Sequence, residues 1–196
     1  MNTDKTVTWI LSDSSCSSVK DRLYESVFSD FQRINIFLVY RGVYLSGALT
    51  SFDIPGERFA CGLSARQFEK PASAFSLGGL ANLGNMIRHS QWIAINDAPP
   101  VAFPHSETTS AGVQKLTLLV NDPTDHPRTT ESIRIAIGLA GCGHTVALSG
   151  RTFAESTLNP EEFQNDAREY LSYLDALGVR IAPDPSYLEN STTLPL

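Results

Sequence analysis

The chain has 196 residues, 42% of them hydrophobic and 18% charged, the proportions of a globular protein with a core to bury. A net charge of −6 excludes the basic footprint that holds a nucleic-acid backbone or an anionic membrane surface. No apolar run approaches the roughly 20 residues that cross a bilayer, so no membrane partner is expected.

The first predicted unit opens with Thr6-Val7-Thr8-Trp9-Ile10-Leu11, a β-rich run that stops at Ser12-Asp13-Ser14-Ser15. Ser18, three residues before Asp21, has the spacing of a capping box. Behind it Val19, Leu23, Val27, Phe28 and Phe31 fall on one helical stripe. Ile34 to Val39 reads as a buried strand, and Arg58-Phe59-Ala60-Cys61 as a third short one. Leu77 to His89 reads as a helix interrupted by Gly78, Gly79 and Gly84, and Gln91 to Ile95 as a fourth strand. Strands alternating with helices imply parallel pairing through right-handed crossovers.

Residues 97 to 114 carry three prolines and no periodicity, which places a linker at 99–113 between units at 1–98 and 114–196. The second unit restarts the pattern with a strand over Lys115 to Val120 and the turn Asn121-Asp122-Pro123. A helix capped by Thr129 or Thr130 follows, carrying Ile133, Ala136, Ile137 and Ala140 and closing at Gly141 and Gly143. His144 to Leu148 is the next strand. Asn159, Pro160, Glu161 and Glu162 start a helix whose core face is Phe163, Ala167, Tyr170, Leu171, Leu174 and Leu177, with Gly178 as terminator. Val179 to Ala182 is a last strand, and the remaining tail is too short and polar to finish the unit, which reads as truncated. Gly56-Glu57-Arg58-Phe59-Ala60-Cys61 aligns with Gly178-Val179-Arg180-Ile181-Ala182-Pro183, so the two units read as copies, with proline replacing the thiol in the second.

Cys61 is the residue with the most chemistry to offer. It ends a predicted parallel strand, where open α/β sheets hold their ligands, and Gly62 to Gln67 can start a helix behind it. A helix N-terminus and the nearby Arg66 both favour thiolate over thiol. On residue type alone a buried cysteine is also an ordinary small apolar core residue. Gly42-Val43-Tyr44-Leu45 after the second strand, and Arg58 to Cys61 before a short helix, resemble the DsrE/DsrF/DsrH (TusBCD-type) sulfur-relay family. The stretch from Lys115 through Asn121-Asp122-Pro123 and Thr130-Glu131-Ser132 to Gly143-His144 resembles the opening of the same domain. The resemblance implies two DsrE-like open sheets in tandem, layered in the flavodoxin-like manner. It also implies a sulfurtransferase-type role, with Cys61 carrying sulfane sulfur as a persulfide and Arg66 supporting the thiolate. The partners it implies are donor and acceptor proteins and related subunits in an oligomer. Two alternatives stand beside it: a non-catalytic scaffold or interaction subunit of the same fold, and a small-ligand binding module at the strand ends.

The other candidates carry less. Cys142 lies at a helix C-terminus, which disfavours thiolate, and Cys16 sits in a serine-rich loop whose residues Ser14 to Ser18 suit helix capping. Three cysteines without a CxxC spacing fit neither a disulfide framework nor a zinc site. Met1-Asn2-Thr3-Asp4-Lys5 is unlike a signal peptide, and with the cysteine pattern points to the cytoplasm. His89, His105, His126 and His144 share no ligand spacing, so no metal is expected, and Asp122, Asp125 and His126 suit a turn. With no GxGxxG or Walker loop, no nucleotide cofactor is expected either. The charge reading has a direct check. Fluorescence titration with duplex DNA, single-stranded RNA or anionic vesicles at physiological salt is expected to show no binding, and a salt-sensitive low-micromolar complex contradicts it.

Overall fold

Thr6–Leu11 forms β1, and all six residues are buried. A strand hidden on both faces belongs in the middle of a parallel sheet covered on both sides. The computed structural model that shows this describes residues 5–14, 26–50, 55–70, 74–104, 112–120, 126–150, 165–182 and 191–195. It divides the chain into two units, Met1–Phe103 and Pro104–Leu196.

In the first unit β2 (Arg33–Leu38), β3 (Arg58–Cys61), β4 (Ser76–Gly78), β5 (Trp92–Ile95) and β6 (Val101–Ala102) join β1 in the order β4-β3-β2-β1-β5-β6. Every pairing is parallel except β5 with β6. The strand β6 thus lies inside the stretch read as linker from sequence. The helices among its described residues are α1 (Ser26–Ser29), α2 (Gly62–Gln67) and α3 (Leu80–Arg88), with a 3-10 turn at Tyr40–Leu45. Trp9, Ile36, Leu38, Val43, Leu49 and Ala60 form the centre of a core that Phe28 and Phe75 close. Burying each aliphatic side chain of this kind contributes about 1.5–3 kcal/mol. The Trp9 and Phe28 rings lie 4.8 Å apart. The predicted helix from Leu77 is corrected here, because Ser76 to Gly78 pair with β3 instead and the helix starts at Leu80. The reason is Gly78, where a Cβ would come within 2.8 Å of the Phe59 ring and 2.9 Å of Asn82 Oδ1. Leu77, counted as helical and apolar, is 65% exposed on this border strand.

In the second unit β7 (Lys115–Leu119), β8 (Thr145–Ser149), β9 (Arg180–Ala182) and β10 (Thr192–Pro195) form a parallel sheet ordered β10-β7-β8-β9. The tail therefore does reach the sheet. A border strand needs only one partner, and four residues with Thr192 and Leu194 buried suffice, Pro195 being tolerated at the strand's end. The helices among its described residues are α4 (His126–Gly141) and α5 (Asn165–Ala176). Thr129 is inside α4 rather than at its cap, since Pro127 fits a first helical turn. Of its apolar residues Ile133, Ile135, Ala136 and Leu139 are buried, while Ile137 and Ala140 are only half-buried. On α5 Leu174 is buried, while Leu177, expected on the same face, lies just past the helix and is exposed; the expected cap at Asn159 to Glu162 lies outside the described residues, as do the Phe163, Ala167 and Leu171 side chains.

The two sheets share a topology. β3-β2-β1-β5 and β9-β8-β7-β10 have the same order, and Arg58 sits opposite Ile36 as Arg180 sits opposite Ala147. Gly56 and Gly178, two residues ahead of those arginines, both take positive φ, +149° and +68°. The match covers strand order and register as well as the six aligned residues. Pro183, opposite Cys61 in that alignment, lies outside the described residues.

Gly42, in the 3-10 turn, presses its backbone onto the end of β1. A Cβ there would lie 1.9 Å from the Leu11 carbonyl oxygen, whereas one on the exposed Gly47 meets nothing within 4 Å. Gly42→Ala is expected to cost about 3 kcal/mol or more and Gly47→Ala less than about 0.5 kcal/mol in urea unfolding. Equal costs for the two would contradict the close approach.

Candidate functional site

The carboxyl ends of β1, β2, β3, β4 and β5 lie along one rim of the first sheet, because the pairing registers run in parallel. Open α/β sheets place their chemistry at this rim. Cys61 ends β3, pairs with Gly78 of β4, and is the N-cap residue of α2 at φ −59°, ψ 117°. It is 1% exposed, outside any disulfide, and makes no side-chain hydrogen bond to the helix amides. Arg66 is in the last turn of α2, exposed, with its Nε donating to the Gly62 carbonyl at 3.3 Å.

The Tyr40 amide donates to Ser64 Oγ at 3.0 Å, fastening α2 to the end of β2 in a buried position. Tyr40 itself has φ 51°, a left-handed conformation that a bulky residue enters at a cost. Its ring meets Phe68 edge-on at 5.3 Å, and Phe68 in turn packs on Tyr44 at 5.7 Å. Arg41 lies over the Tyr40 ring and Lys70 over the Tyr44 ring, at 5.6 and 6.0 Å. α2 thus runs from Cys61 at its head to Phe68 of this aromatic cluster at its end.

A second cluster gathers where strand order reverses, between β1 and β5. Asn96, at φ 47°, accepts the amides of Ser12 and Asp13 on its carboxamide oxygen at 2.8 and 3.3 Å. It returns its own Nδ2 proton to Ser12 Oγ at 2.9 Å. The sequence reading missed both Tyr40 and Asn96. For Asn96 the signal was available: Asn at a strand end is the residue most tolerant of positive φ after Gly.

The remaining candidates among the described residues lie on other elements. Cys142 is half-exposed and follows α4, its amide donating to Gly138 and Leu139 carbonyls. His144 is buried and accepts the Gln114 amide on Nδ1 at 3.1 Å, while His89 is exposed and His126 opens α4. Cys16, Ser15 to Ser18, His105, Asp122 and Asp125 lie outside the described residues. Among the described residues no three His, Cys, Asp or Glu side chains come together to hold a metal, and no helix is long and apolar enough to cross a membrane.

No family model matches this chain, and no curated protein does. Among solved structures, 1-deoxy-D-xylulose 5-phosphate reductoisomerase from Zymomonas mobilis in complex with NADPH is similar at 16% identity and a TM-score of 0.37. The match covers 93% of this chain but only 39% of that one. What the strand order and parallel registers establish is the α/β class with one mostly parallel and one parallel sheet.

α2 ends as α4 and α5 do, in a Schellman turn: Lys70 N to Ala65 O and Glu69 N to Arg66 O. Gly143 and Gly178 hold the left-handed place in the other two, but α2 puts Glu69 there at φ 49°. Relief of that strain, about 1–2 kcal/mol, exceeds the entropy cost of a glycine, about 0.4–1 kcal/mol. Glu69→Gly is therefore expected to raise unfolding stability by about 0.5–1 kcal/mol, and a loss in chemical denaturation refutes this.

Proposed function

We propose that the first unit is a cytoplasmic sulfur carrier of the DsrE-like type, with Cys61 as its persulfide residue. The supporting observation is the position of Cys61, at the carboxyl end of β3 and the head of α2, beside the side-chain-free Gly78. The chemistry is redox-neutral. The Cys61 thiolate attacks the outer sulfur of a donor persulfide, forming Cys61–S–SH and releasing the donor thiolate. An acceptor protein's thiolate then attacks that outer sulfur, and the Cys61 thiolate leaves. Donor and acceptor proteins and related subunits are the partners this reading requires.

Burial sets a condition on the chemistry. At 1% exposure Cys61 meets no second protein unless the border strand opens. β4 offers the route, being three residues long and paired on one side only. Short border elements open locally at far lower cost than the whole fold. In this reading Arg66 acts once the edge is open, from the exposed face of α2.

The same burial favours a second reading, in which the unit is a non-catalytic scaffold or interaction subunit and Cys61 is core. Peptide-resolved alkylation and mass spectrometry after exposure to a persulfide donor separate the two. The carrier reading expects added sulfur on Cys61, abolished in Cys61→Ser and retained in Cys142→Ser. It also expects native-state alkylation of Cys61 to be faster in Gly78→Ala, which presses on Phe59 and Asn82 and loosens β4. A Cys61 that takes no sulfur from any donor, in wild type or loosened variant, leaves the scaffold reading standing.

A further inference from the structure

In an open sheet the crevice for a ligand forms where consecutive connections leave in opposite directions. In the first unit the chain runs from β1 out to β4 and returns to β5 on the other side of β1, so that crevice falls between the ends of β1 and β5. Phosphate oxygens are held at such places by successive backbone amides that converge on one point. The amides of Ser12 and Asp13 converge here, at 2.8 and 3.3 Å, but the atom between them is Asn96 Oδ1.

We infer that Asn96 is an internal strap that closes the β1–β5 crevice of the first unit to phosphate-bearing ligands, its carboxamide oxygen occupying the place of a ligand oxyanion. The strap is held at both ends of the residue. Its Nδ2 donates to Ser12 Oγ at 2.9 Å, and Ser12 is itself buried. Its main-chain amide donates to Ile10 at 2.8 Å, and its carbonyl accepts the indole N–H of the fully buried Trp9 at 2.8 Å. Moving Asn96 aside would strand that indole donor in the core, a costly state for any buried polar group. Asparagine suits the place because it couples tolerance of φ 47° to a short side chain that both accepts and donates. Asp97 follows the strap in the chain and Asp13 supplies one of the amides it holds, and these two carboxylates disfavour an incoming anion further. This inference is independent of Cys61.

The test is an inorganic phosphate titration of the full chain at constant ionic strength, read by amide NMR shifts and hydrogen exchange at Ser12 and Asp13. Wild type and Asn96→Asp, which keeps the acceptor, are expected to show no phosphate-dependent shift at either amide. Asn96→Gly keeps the positive φ but removes the carboxamide. It is expected to exchange both amides about fivefold faster or more, and to give saturable phosphate shifts there. A folded Asn96→Gly whose amides stay protected and ignore phosphate overturns the inference. So does a phosphate shift at those amides in wild type, which decides the matter even if the glycine variant does not fold.

Discussion

The carboxyl end of β1 is the point on which the first unit depends. The Leu11 carbonyl accepts the Val39 amide at 2.9 Å, which fixes where β2 stops. The same carbonyl is so closely approached by the 3-10 turn that only glycine fits at position 42. One residue earlier, Ile10 accepts the Asn96 amide, which fixes where β5 stops. A central parallel strand must satisfy neighbours on both sides at once, and here three separate segments do so within two residues. The positive φ values at Tyr40 and Asn96 follow from that crowding, since each chain must turn sharply as it leaves its strand.

This convergence divides the rim into two chemically different halves. On the β1–β5 side, polar groups satisfy one another through Asn96, and no backbone amide at Ser12 or Asp13 is left pointing outward. On the β2–β4 side, Cys61 is buried and separated from the edge of the sheet by a three-residue strand. The first half is locked by hydrogen bonds that would be expensive to break. The second is covered by packing and a short ladder, which open more easily. The half closed by the shorter ladder is the one that carries Cys61.

The second unit repeats the scaffold without repeating these details. Leu119, matching Leu11 in register, is followed by Val120, whose amide donates to Ser149 at the end of β8. In the first unit that bond runs the other way, from Val39 at the end of β2 back to β1. Ser149 also holds a buried hydroxyl without a hydrogen-bond partner among the described residues, where the corresponding strand of the first unit has the apolar Leu38. The two units thus agree in strand order and register and differ in what they place at the strand ends.

Strand identity was legible in the sequence wherever a run of β-branched and apolar residues was long enough to be hidden on both faces, as in Thr6–Leu11 and Lys115–Leu119. The α/β alternation, the doubling, and the place of Cys61 at the end of a strand followed from the same local patterns. The short border strands did not. Ser76–Gly78 and Thr192–Pro195 have too few residues to show a period, and they are strands only because a longer neighbour offers them a ladder. The burial of Cys61 and the role of Asn96 were equally invisible, for a different reason. Cys61 is hidden by residues brought together from the sheet and α2, and Asn96 binds partners more than 80 positions away in the chain. Local propensity reports what a segment prefers by itself. Contacts across that distance exist only once parallel crossovers have set the strand ends side by side.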